Sequence, residues 1–326
     1  MTLTMLPEWA PHERVWIGFP SHEPEWPGVL DLARREVAAF ANAVHADGAG
    51  EAVHLIAADV QSAEAARALA APGVIVEQHV FGDIWLRDTG PIIVATGADR
   101  QARHFDNNGW GGKYDLPGDR EIGGILADTI SLPVTRCDWI FEGGAIDAGG
   151  TGLVVTTEQC VLNPNRNPDL TRDEIEARLK GDLGFDRVLW LGDGLLNDHT
   201  DGHVDNLARF VGPNRLALPV AEGEDDPNAA IYADAKARAE AMGVEVVPIP
   251  SPGRVIRNGE VIPASYMNFY IGNAVVVVPV YGTANDDAAV AAIQAFFPDR
   301  KAVGLRADHI LFGGGSFHCI SQQVPR

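Results

Sequence analysis

The pattern of hydrophobic and polar positions predicts short buried strands alternating with amphipathic helices. Residues 30–45 give the clearest helix, because apolar side chains recur there at the three- and four-residue intervals of one helical face. Further helices are predicted at residues 62–70, 120–130, 171–183, 227–242 and 286–297. Apolar runs typical of buried strands lie at residues 15–19, 53–58, 74–80, 91–96, 153–157, 188–191, 207–211, 216–220, 244–247, 274–280 and 303–305. The chain is therefore predicted to be an α/β protein.

The spacing of these elements indicates an internal repeat. Four helices start near residues 120, 171, 227 and 286, about 50 to 60 residues apart, with strands between them. A strand–strand–helix–strand unit repeated about five times would fill the 326 residues. A doubly wound parallel sheet is the second choice, because its glycine fingerprint does not follow the first strand. Since no long Gly/Ser linker interrupts the pattern, we expect residues 1–326 to form a single domain.

Composition and charge narrow the possible partners and the compartment. A net charge of −20 argues against nucleic acid and anionic membranes as partners and suits a cationic ligand. Residues 1–10 have no signal-peptide pattern, and no apolar run is long enough to span a membrane. The three cysteines, Cys137, Cys160 and Cys319, lie far apart and indicate a reducing compartment. We therefore expect a cytoplasmic protein, and the sequence leaves a homo-oligomer open.

The most suggestive stretch for chemistry lies near the end of the chain. The apolar run 310–312 predicts a strand that breaks into three glycines, including Gly314, shortly before Cys319. A ligand can approach a thiol closely beside glycines, since no side chains crowd the backbone. Cys319 is thus a candidate nucleophile, and a buried structural thiol is the alternative.

Three further stretches carry candidate acids and bases. Asp88 follows Arg87 at a predicted turn, where it could grip a cationic ligand or form a structural pair with that arginine. Glu142 is followed by two glycines and is of interest only with a basic group beside it. His203 and Asp205 are two residues apart, so on a strand both side chains would point to one face and could flank a ligand.

Nucleotide and zinc sites find weaker support. The loop 105–114 lacks the pattern of a phosphate-binding loop, but its Trp110 could line a pocket. His199 and His203 are four residues apart, so a zinc site that also includes Asp205 and Cys319 stays open. The HExxH pattern of zinc hydrolases is not met. His318 would point away from Cys319 on a strand, so we do not expect it to be the base for that thiol.

Several motifs, in order along the chain, resemble those of the agmatine deiminase family. They are WLRDTGP (85–91), FDNNGWGGKY (105–114), EGGAID (142–147), LNPNRNP (162–168), TDGHVDN (200–206), ASYMNFYIGN (264–273) and GGGSFHCISQQ (313–323). The resemblance extends over nearly the whole chain, from about residue 7 to residue 325. This family belongs to the guanidino-group-modifying superfamily, together with arginine deiminase and bacterial peptidylarginine deiminase.

The resemblance implies both a fold and an activity. The fold would be a five-bladed α/β propeller of ββαβ-type units, the pentein fold. The activity would be hydrolysis of agmatine, a small cationic guanidino substrate, to N-carbamoylputrescine and ammonia through a covalent amidino adduct on cysteine. Neither a metal nor an organic cofactor would be required.

The resemblance also implies roles for individual residues. It makes Cys319 the nucleophile, His203 the general acid/base, Asp88 and Asp205 the guanidinium ligands, Glu142 the residue that orients His203, and Trp85 a wall of the alkyl channel. Such a set suits the chemistry, because a guanidinium is always charged and needs carboxylates in charge-assisted contact.

Two positions depart from relatives of this kind. His199 stands where agmatine deiminases tend to carry an acid for the far amine, and Ala145 stands where arginine deiminases carry Asp. The first departure leaves the substrate's tail open, and the second disfavours free arginine. The alternatives are a deiminase or amidinotransferase acting on another guanidino compound or on peptidyl arginine, a zinc hydrolase, and a guanidine-binding protein without catalysis.

Overall fold

The computed structural model describes residues 3–326 and confirms the alternation of strands and helices. The strands are β1 Leu3–Met5, β2 His12–Gly18, β3 Ala52–Ala57, β4 Ile75–Gln78, β5 Ile92–Thr96, β6 Asp99–Asp106, β7 Val134–Ile140, β8 Ile146–Ala148, β9 Leu153–Thr157, β10 Arg187–Leu191, β11 Arg209–Gly212, β12 Arg215–Val220, β13 Glu245–Pro250, β14 Ile256–Arg257, β15 Glu260–Val261, β16 Tyr270–Ile271, β17 Val275–Val280, β18 Lys301–Arg306 and β19 Ser321–Pro325.

The helices vary from single turns to four turns. They are α1 Leu30–His45, α2 Val60–Leu69, α3 Leu86–Thr89, α4 Gly109–Gly112, α5 Ile122–Thr129, α6 Glu158–Val161, α7 Arg172–Arg178, α8 Ala229–Ala241 and α9 Asp286–Phe296. Short 3₁₀ turns lie at Glu23–Glu25, Ala46–Gly48, Gly143–Ala145, Val204–Asn206 and Ile310–Gly313, and a π turn at Leu179–Leu183 extends α7.

The same unit recurs in five sheets of the described chain. In each, two antiparallel strands are followed by a helix and a parallel strand: β5–β6–α5–β7, β8–β9–α7–β10, β11–β12–α8–β13, β16–β17–α9–β18 and, with the last strand first, β19–β2–α1–β3. β1 and β4 extend two of these sheets, and β14 and β15 form a separate hairpin. The predicted strand–strand–helix–strand repeat is confirmed, and a single doubly wound parallel sheet is not formed.

Local sequence explains why the crossover helices form. The exposed N-terminus of α7 begins at Thr171, whose hydroxyl accepts a hydrogen bond from the backbone of Glu174 while the glutamate side chain accepts one from Thr171. This capping box satisfies donors that a helix start leaves unpaired. In α1 the apolar face that the sequence predicts, including Val37, Phe40 and Val44, is fully buried against the core.

The C-terminal strand places the predicted nucleophile beside the N-terminal part of the chain. β19 pairs antiparallel with β2, so that Ser321 lies opposite Ile17 and Gln323 opposite Val15. Just before β19, the backbone carbonyl of Cys319 accepts a hydrogen bond from the backbone N–H of Arg87, at 3.1 Å. The glycine-rich stretch and the α3 turn are thereby held together, although more than 200 residues separate them.

Two local predictions are wrong. The run 310–312 is a 3₁₀ turn and not a strand, because the backbone N–H groups of His309 and Ile310 both donate to the Glu36 carboxylate at 2.9 Å and fix a bend. His203 and Asp205 also do not share a strand, since a 3₁₀ turn covers Val204–Asn206. Just before this turn, the Thr200 hydroxyl accepts a hydrogen bond from the His203 N–H at 3.0 Å.

A last feature of the fold concerns membranes. Of the helices between residues 3 and 326, none combines the length and the apolar character needed to cross a bilayer.

Candidate active site

A cleft in the protein brings together most of the residues singled out from the sequence. It encloses about 720 Å³ out to its open mouth, and six of the predicted site residues line it: Trp85, Asp88, Trp110, His199, Gly314 and Cys319. The other three, Glu142, His203 and Asp205, lie buried behind this wall. The positive φ of Gly314, 105°, is one that side chains rarely allow, and a Cβ there would lie 3.1 Å from His199 Nδ1.

The thiol of Cys319 is held from two sides. Its Sγ accepts a hydrogen bond from Asn268 Nδ2 at 3.0 Å and donates to Asp205 Oδ2 at 3.3 Å. The Asn268 carbonyl oxygen accepts from the backbone N–H groups of His318 and Cys319, at 3.0 and 3.2 Å. Burial raises the pKa of the Cys319 thiol well above its usual range, and the charges of Asp205 and Asp88 add to the shift. With the cleft empty, Cys319 is therefore protonated near neutral pH.

The carboxylate of Asp88 points into the cleft and does not pair with the neighbouring arginine. Its Oδ2 accepts from Trp110 Nε1 at 2.8 Å, and its Oδ1 accepts from the backbone N–H of Gly144 at 2.9 Å. Arg87 instead donates to Glu8 at 3.1 Å. The structural pair between Arg87 and Asp88, considered as the alternative, is therefore not formed. Burial raises the pKa of Asp88 to about 6.

His203 lies between two carboxylates. Its Nε2 is 3.4 Å from Glu142 Oε2, and its Nδ1 is 3.7 Å from Asp88 Oδ1. Burial opposes a charge on the ring, but the Asp88 and Glu142 carboxylates raise the pKa of His203 well above its usual value. Glu142 is itself held by Arg166, whose Nε donates to it at 2.7 Å. A basic group therefore does stand beside Glu142, as its functional interpretation requires.

Asp205 is supported by a buried ionic network. His318 is hydrogen-bonded through Nδ1 to Asp205 Oδ2 at 2.7 Å and through Nε2 to Glu8 Oε1 at 2.8 Å. Glu8 is also paired with Arg87 and Arg209. Burial opposes ionisation of Asp205, but its hydrogen bond with His318 holds its pKa below the usual value. His318 and Cys319 lie in a turn before β19 and not on a strand, so the predicted reason for their pointing apart is wrong. Both ring nitrogens of His318 contact carboxylates, and one of these contacts holds Asp205.

Gly144 marks the point on which these groups converge. A Cβ built on Gly144 would lie 2.6 Å from His203 Nδ1, 2.9 Å from Asp88 Oδ1 and 3.1 Å from Asp205 Oδ2. In the part of the chain that the structure describes, His203 Nδ1 and Asp205 Oδ1 are buried without a hydrogen-bond partner. Buried acceptor atoms rarely stay unpaired, so the Asp88 and Asp205 carboxylates beside this point are suited to a ligand that offers N–H donors. A planar guanidinium is such a ligand.

The zinc site considered from the sequence is not assembled. Among residues 3–326, the donors close enough to share a metal are those of Glu142, Cys160 and His203, within 4.8 Å of one another, and not the set with His199, Asp205 and Cys319. The Glu142 carboxylate already forms an ion pair with the positively charged Arg166. That cation disfavours a metal at the cluster, so we interpret Cys160 as a packed thiol.

Four supporting residues were not identified from the sequence. Asn268 and Arg166 do fall inside motifs quoted for the family resemblance, 264–273 and 162–168, so their motifs were a signal although their roles were not. His318 adjoins Cys319. Glu8 lies 310 residues from His318 in the sequence, and nothing near it in the chain indicates a role at the site.

Comparisons with known proteins agree with this geometry. The family model of Porphyromonas-type peptidyl-arginine deiminase matches residues 4–325. Agmatine deiminase of Stutzerimonas stutzeri is 35% identical over 350 residues, covering 98% of this chain and 94% of the relative. The structure of Enterococcus faecalis agmatine deiminase superposes with a TM-score of 0.93 at 29% identity, over 100% of this chain and 96% of that one. A cysteine-to-serine variant of C. jejuni agmatine deiminase with substrate bound gives 0.91 at 28% identity, over 99% and 96%.

The space at Gly144 gives a first testable prediction. We expect Gly144→Ala to weaken the binding of a small guanidino cation about 10- to 100-fold, because the new methyl group would overlap His203 Nδ1 and Asp88 Oδ1. Calorimetric titration with agmatine measures this loss. Gly181→Ala is the control, since a Cβ there meets nothing within 4 Å. Unchanged affinity in a Gly144→Ala protein of unchanged thermal stability would show that the ligand does not use this space.

Proposed function

The chain belongs to the Porphyromonas-type peptidyl-arginine deiminase family, and from that premise we propose that it hydrolyses agmatine to N-carbamoylputrescine and ammonia. The observation that carries the proposal is the convergence of His203, Asp88 and Asp205 on one space next to the Cys319 thiol. The agmatine deiminase of S. stutzeri, 35% identical over nearly the full chain, supports the choice of substrate.

The guanidinium would bind between the two carboxylates. Asp88 Oδ1 and the unpartnered Asp205 Oδ1 can accept its N–H groups, while its central carbon comes close to Cys319 Sγ, which lies 3.3 Å from Asp205 Oδ2. Charge-assisted contacts of this kind are strong in a buried site. The substrate's positive charge also offsets the two negative charges that raise the pKa of the thiol. Binding therefore favours the thiolate, and the thiol's proton leaves to solvent.

The chemical steps follow from this arrangement. The Cys319 thiolate attacks the guanidinium carbon and forms a tetrahedral adduct. His203, protonated between Asp88 and Glu142, donates a proton to the departing nitrogen, and ammonia leaves. A covalent amidino adduct stays on sulfur. The now neutral His203 takes a proton from water, the hydroxide adds to the same carbon, and the C–S bond breaks to release the ureido product and the thiolate.

Glu142 would position His203 for both proton transfers. Its carboxylate contacts His203 Nε2, and the ion pair with Arg166 helps to keep its pKa below the usual value despite burial. The Nδ1 of His203, which has no partner among residues 3–326, is left to face the reacting group. Trp85 and Trp110 line the cleft on the way to this centre.

The alternatives derived from the sequence have less support. The description of the family names peptidyl arginine, but the relative that is 35% identical over nearly the full chain is an agmatine deiminase. No contact within the described site specifically favours an amidino acceptor other than water, or binding without turnover. Their chemistry would nevertheless use the same nucleophile, so the experiments below separate them by product.

Three further proposals concern the whole chain. We propose that the five repeated sheets are the blades of a closed α/β propeller, a proposal supported by the pairing of β19 with β2, which joins the two chain ends. We also propose that residues 1–326 form a single catalytic domain. Finally, we place the enzyme in the cytoplasm, because a catalytic thiol is kept reduced there.

Replacement of the nucleophile tests the mechanism directly. We expect Cys319→Ser to release no measurable ammonia from agmatine while keeping its thermal stability, because the alcohol has no accessible anion near pH 7. In the wild-type protein, mass spectrometry after acid quenching should find an amidino adduct on Cys319. Cys137→Ser is the matched control, since burial raises the pKa of Cys137 to about 12 and its side chain lies outside the cleft. An adduct on another cysteine would contradict the mechanism.

The Asp205 carboxylate should be necessary for binding the guanidinium. Asp205→Asn removes a charge-assisted partner of a buried cation, so we expect kcat/KM for agmatine to fall by about 100-fold or more. The exposed Asp193→Asn provides a control for the general effect of charge. If Asp205→Asn keeps more than about a tenth of the wild-type kcat/KM, the carboxylate is structural.

The raised pKa of Asp88 predicts a pH dependence of binding. Asp88 is ionised above its pKa of about 6 and neutral below it, so agmatine affinity should fall as the pH drops from about 7 to 5. Calorimetry on the inactive Cys319→Ser protein measures this without turnover. Asp83, whose pKa burial also raises to about 6, lines the same cleft. Asp88→Asn should therefore flatten the profile, and an unchanged profile would assign it to Asp83.

A further inference from the structure

The cleft continues beyond the guanidinium site, and its outer part is negatively charged. Glu25, Asp83, Tyr114 and His199 line that part. No lysine or arginine is found among the residues of 3–326 that line the cleft. Lys113, next to Tyr114 in the sequence, is not among the lining residues: its Nζ donates to the backbone carbonyl of His199 at 2.7 Å and is paired with Asp201 at 2.6 Å. No lysine or arginine of this wall therefore offsets the negative charges of Glu25 and Asp83.

The indole of Trp85 joins the two parts of the cleft. At one end its Nε1 donates to Asp83 Oδ2 at 2.7 Å. At the other end, a Cβ built on Gly315 would lie 2.6 Å from Trp85 Cζ3 and 3.0 Å from Cys319 Sγ. Asp83 is thus about one indole length from the nucleophile. An alkyl chain that leaves the guanidinium and follows the ring would bring its far end to the acids.

The two acids differ in how much hydrogen-bonding capacity they have left. Asp83 Oδ1 accepts from Trp26 Nε1 at 3.1 Å and from the Ile84 N–H at 2.8 Å, while Oδ2 accepts from Trp85. Asp83 therefore orients the two tryptophans. The Glu25 carboxylate forms neither a hydrogen bond nor an ion pair with any residue that the structure describes, although it is partly buried in the cleft wall.

Electrostatics places Glu25 in the same space as Asp83 and Tyr114. Burial is the main cause of the raised pKa of Tyr114, and the charges of Glu25 and Asp83 raise it further. Glu25 likewise contributes to the raised pKa of Asp83, behind burial. Its position is fixed by the chain, because it ends the 3₁₀ turn Glu23–Glu25 and the next residue is the buried Trp26.

We propose that Glu25 binds the far end of the substrate and selects guanidino compounds whose far end is an ammonium group. Asp83 and Trp85 support the position of Glu25. His199, although in the same wall, is packed against Gly314 and supplies no anion. The inference rests on the proposed function. It assigns the cationic tail an acidic partner, which His199 cannot be. A carboxylate tail, as in an ω-guanidino acid, would be repelled.

Three guanidino compounds with four carbon atoms in the chain test the proposal: agmatine, butylguanidine and 4-guanidinobutanoate, with ammonium, methyl and carboxylate ends. We expect Glu25→Gln to lower kcat/KM for agmatine by about three- to tenfold, because one attractive charge is lost at a partly exposed site. Butylguanidine should change by less than about twofold. Glu25→Lys should reduce agmatine turnover further and raise that of 4-guanidinobutanoate.

The matched control is Glu23→Gln. Glu23 belongs to the same 3₁₀ turn but is exposed, lies outside the cleft wall and accepts from the Gly28 N–H at 3.1 Å. Glu23→Gln should leave the order of kcat/KM among the three substrates unchanged. Equal losses on the three substrates with Glu25→Gln, or loss of the tail preference with His199→Ala only, would overturn the assignment of Glu25.

Failure of the proposed function would look different. If the wild-type protein turns over none of the three compounds, agmatine deimination itself is contradicted. Calorimetric binding of the same three ligands to Cys319→Ser, with and without Glu25→Gln, then still decides whether Glu25 distinguishes their tails. A preference for the ammonium end that disappears with Glu25→Gln supports the inference, and an unchanged preference overturns it.

Discussion

The site depends on carboxylates that are buried together with their counter-charges. Glu8, from the first residues of the described chain, is hydrogen-bonded to His318 and paired with Arg87 and Arg209. A buried charge without a partner costs several kcal/mol, so each of these groups fixes the others. Through His318 the network reaches Asp205, and the backbone of Arg87 holds Cys319. The proposed catalytic groups are thus held by a buried ionic network whose geometry is set by charge pairing.

The carboxylates proposed to bind the guanidinium, Asp88 and Asp205, have fewer counter-charges than Glu8 in the buried ionic network. Asp88 has a tryptophan and a backbone N–H for partners, and its pKa is raised to about 6. One oxygen of Asp205 has no partner among residues 3–326. A cation that enters the cleft supplies what is missing, so part of the binding energy comes from groups that folding left unsatisfied. Such a pre-organised site loses little in reorganisation when the substrate arrives.

The features that could be predicted from the sequence are those that depend on a short motif or on a regular spacing of apolar residues. The ββαβ repeat follows from apolar periodicity, and the motifs around Asp88, His203 and Cys319 mark residues that do meet in the structure. Prediction from the sequence failed where polar strands pair. β6 and β19 contain few apolar residues, and both were overlooked because burial of their polar side chains depends on distant partners.

The same limit explains which site residues could not be found. The contact of His318 with Glu8 spans 310 positions, and that of Asn268 with Cys319 spans 51. No local pattern encodes such a contact, because it exists only after the sheets are assembled. Likewise, His203 precedes a 3₁₀ turn and does not continue a strand, and the hydrogen bond from its N–H to the Thr200 hydroxyl is too weak a signal to predict this turn from the sequence.

The carboxylates of Asp88 and Asp205 also affect the reactivity of Cys319, the proposed nucleophile, in the free protein. Asp88 and Asp205 raise the pKa of Cys319 beyond the effect of burial. Oxidants and electrophiles react with thiolates and much less with thiols, so the empty site keeps its cysteine unreactive. A guanidinium bound between the same two carboxylates would offset their charges and remove their part of the shift, while burial continues to raise the thiol pKa. Binding and activation are therefore one electrostatic event, and a ligand without a positive charge at this position can fill the cleft without making the sulfur nucleophilic.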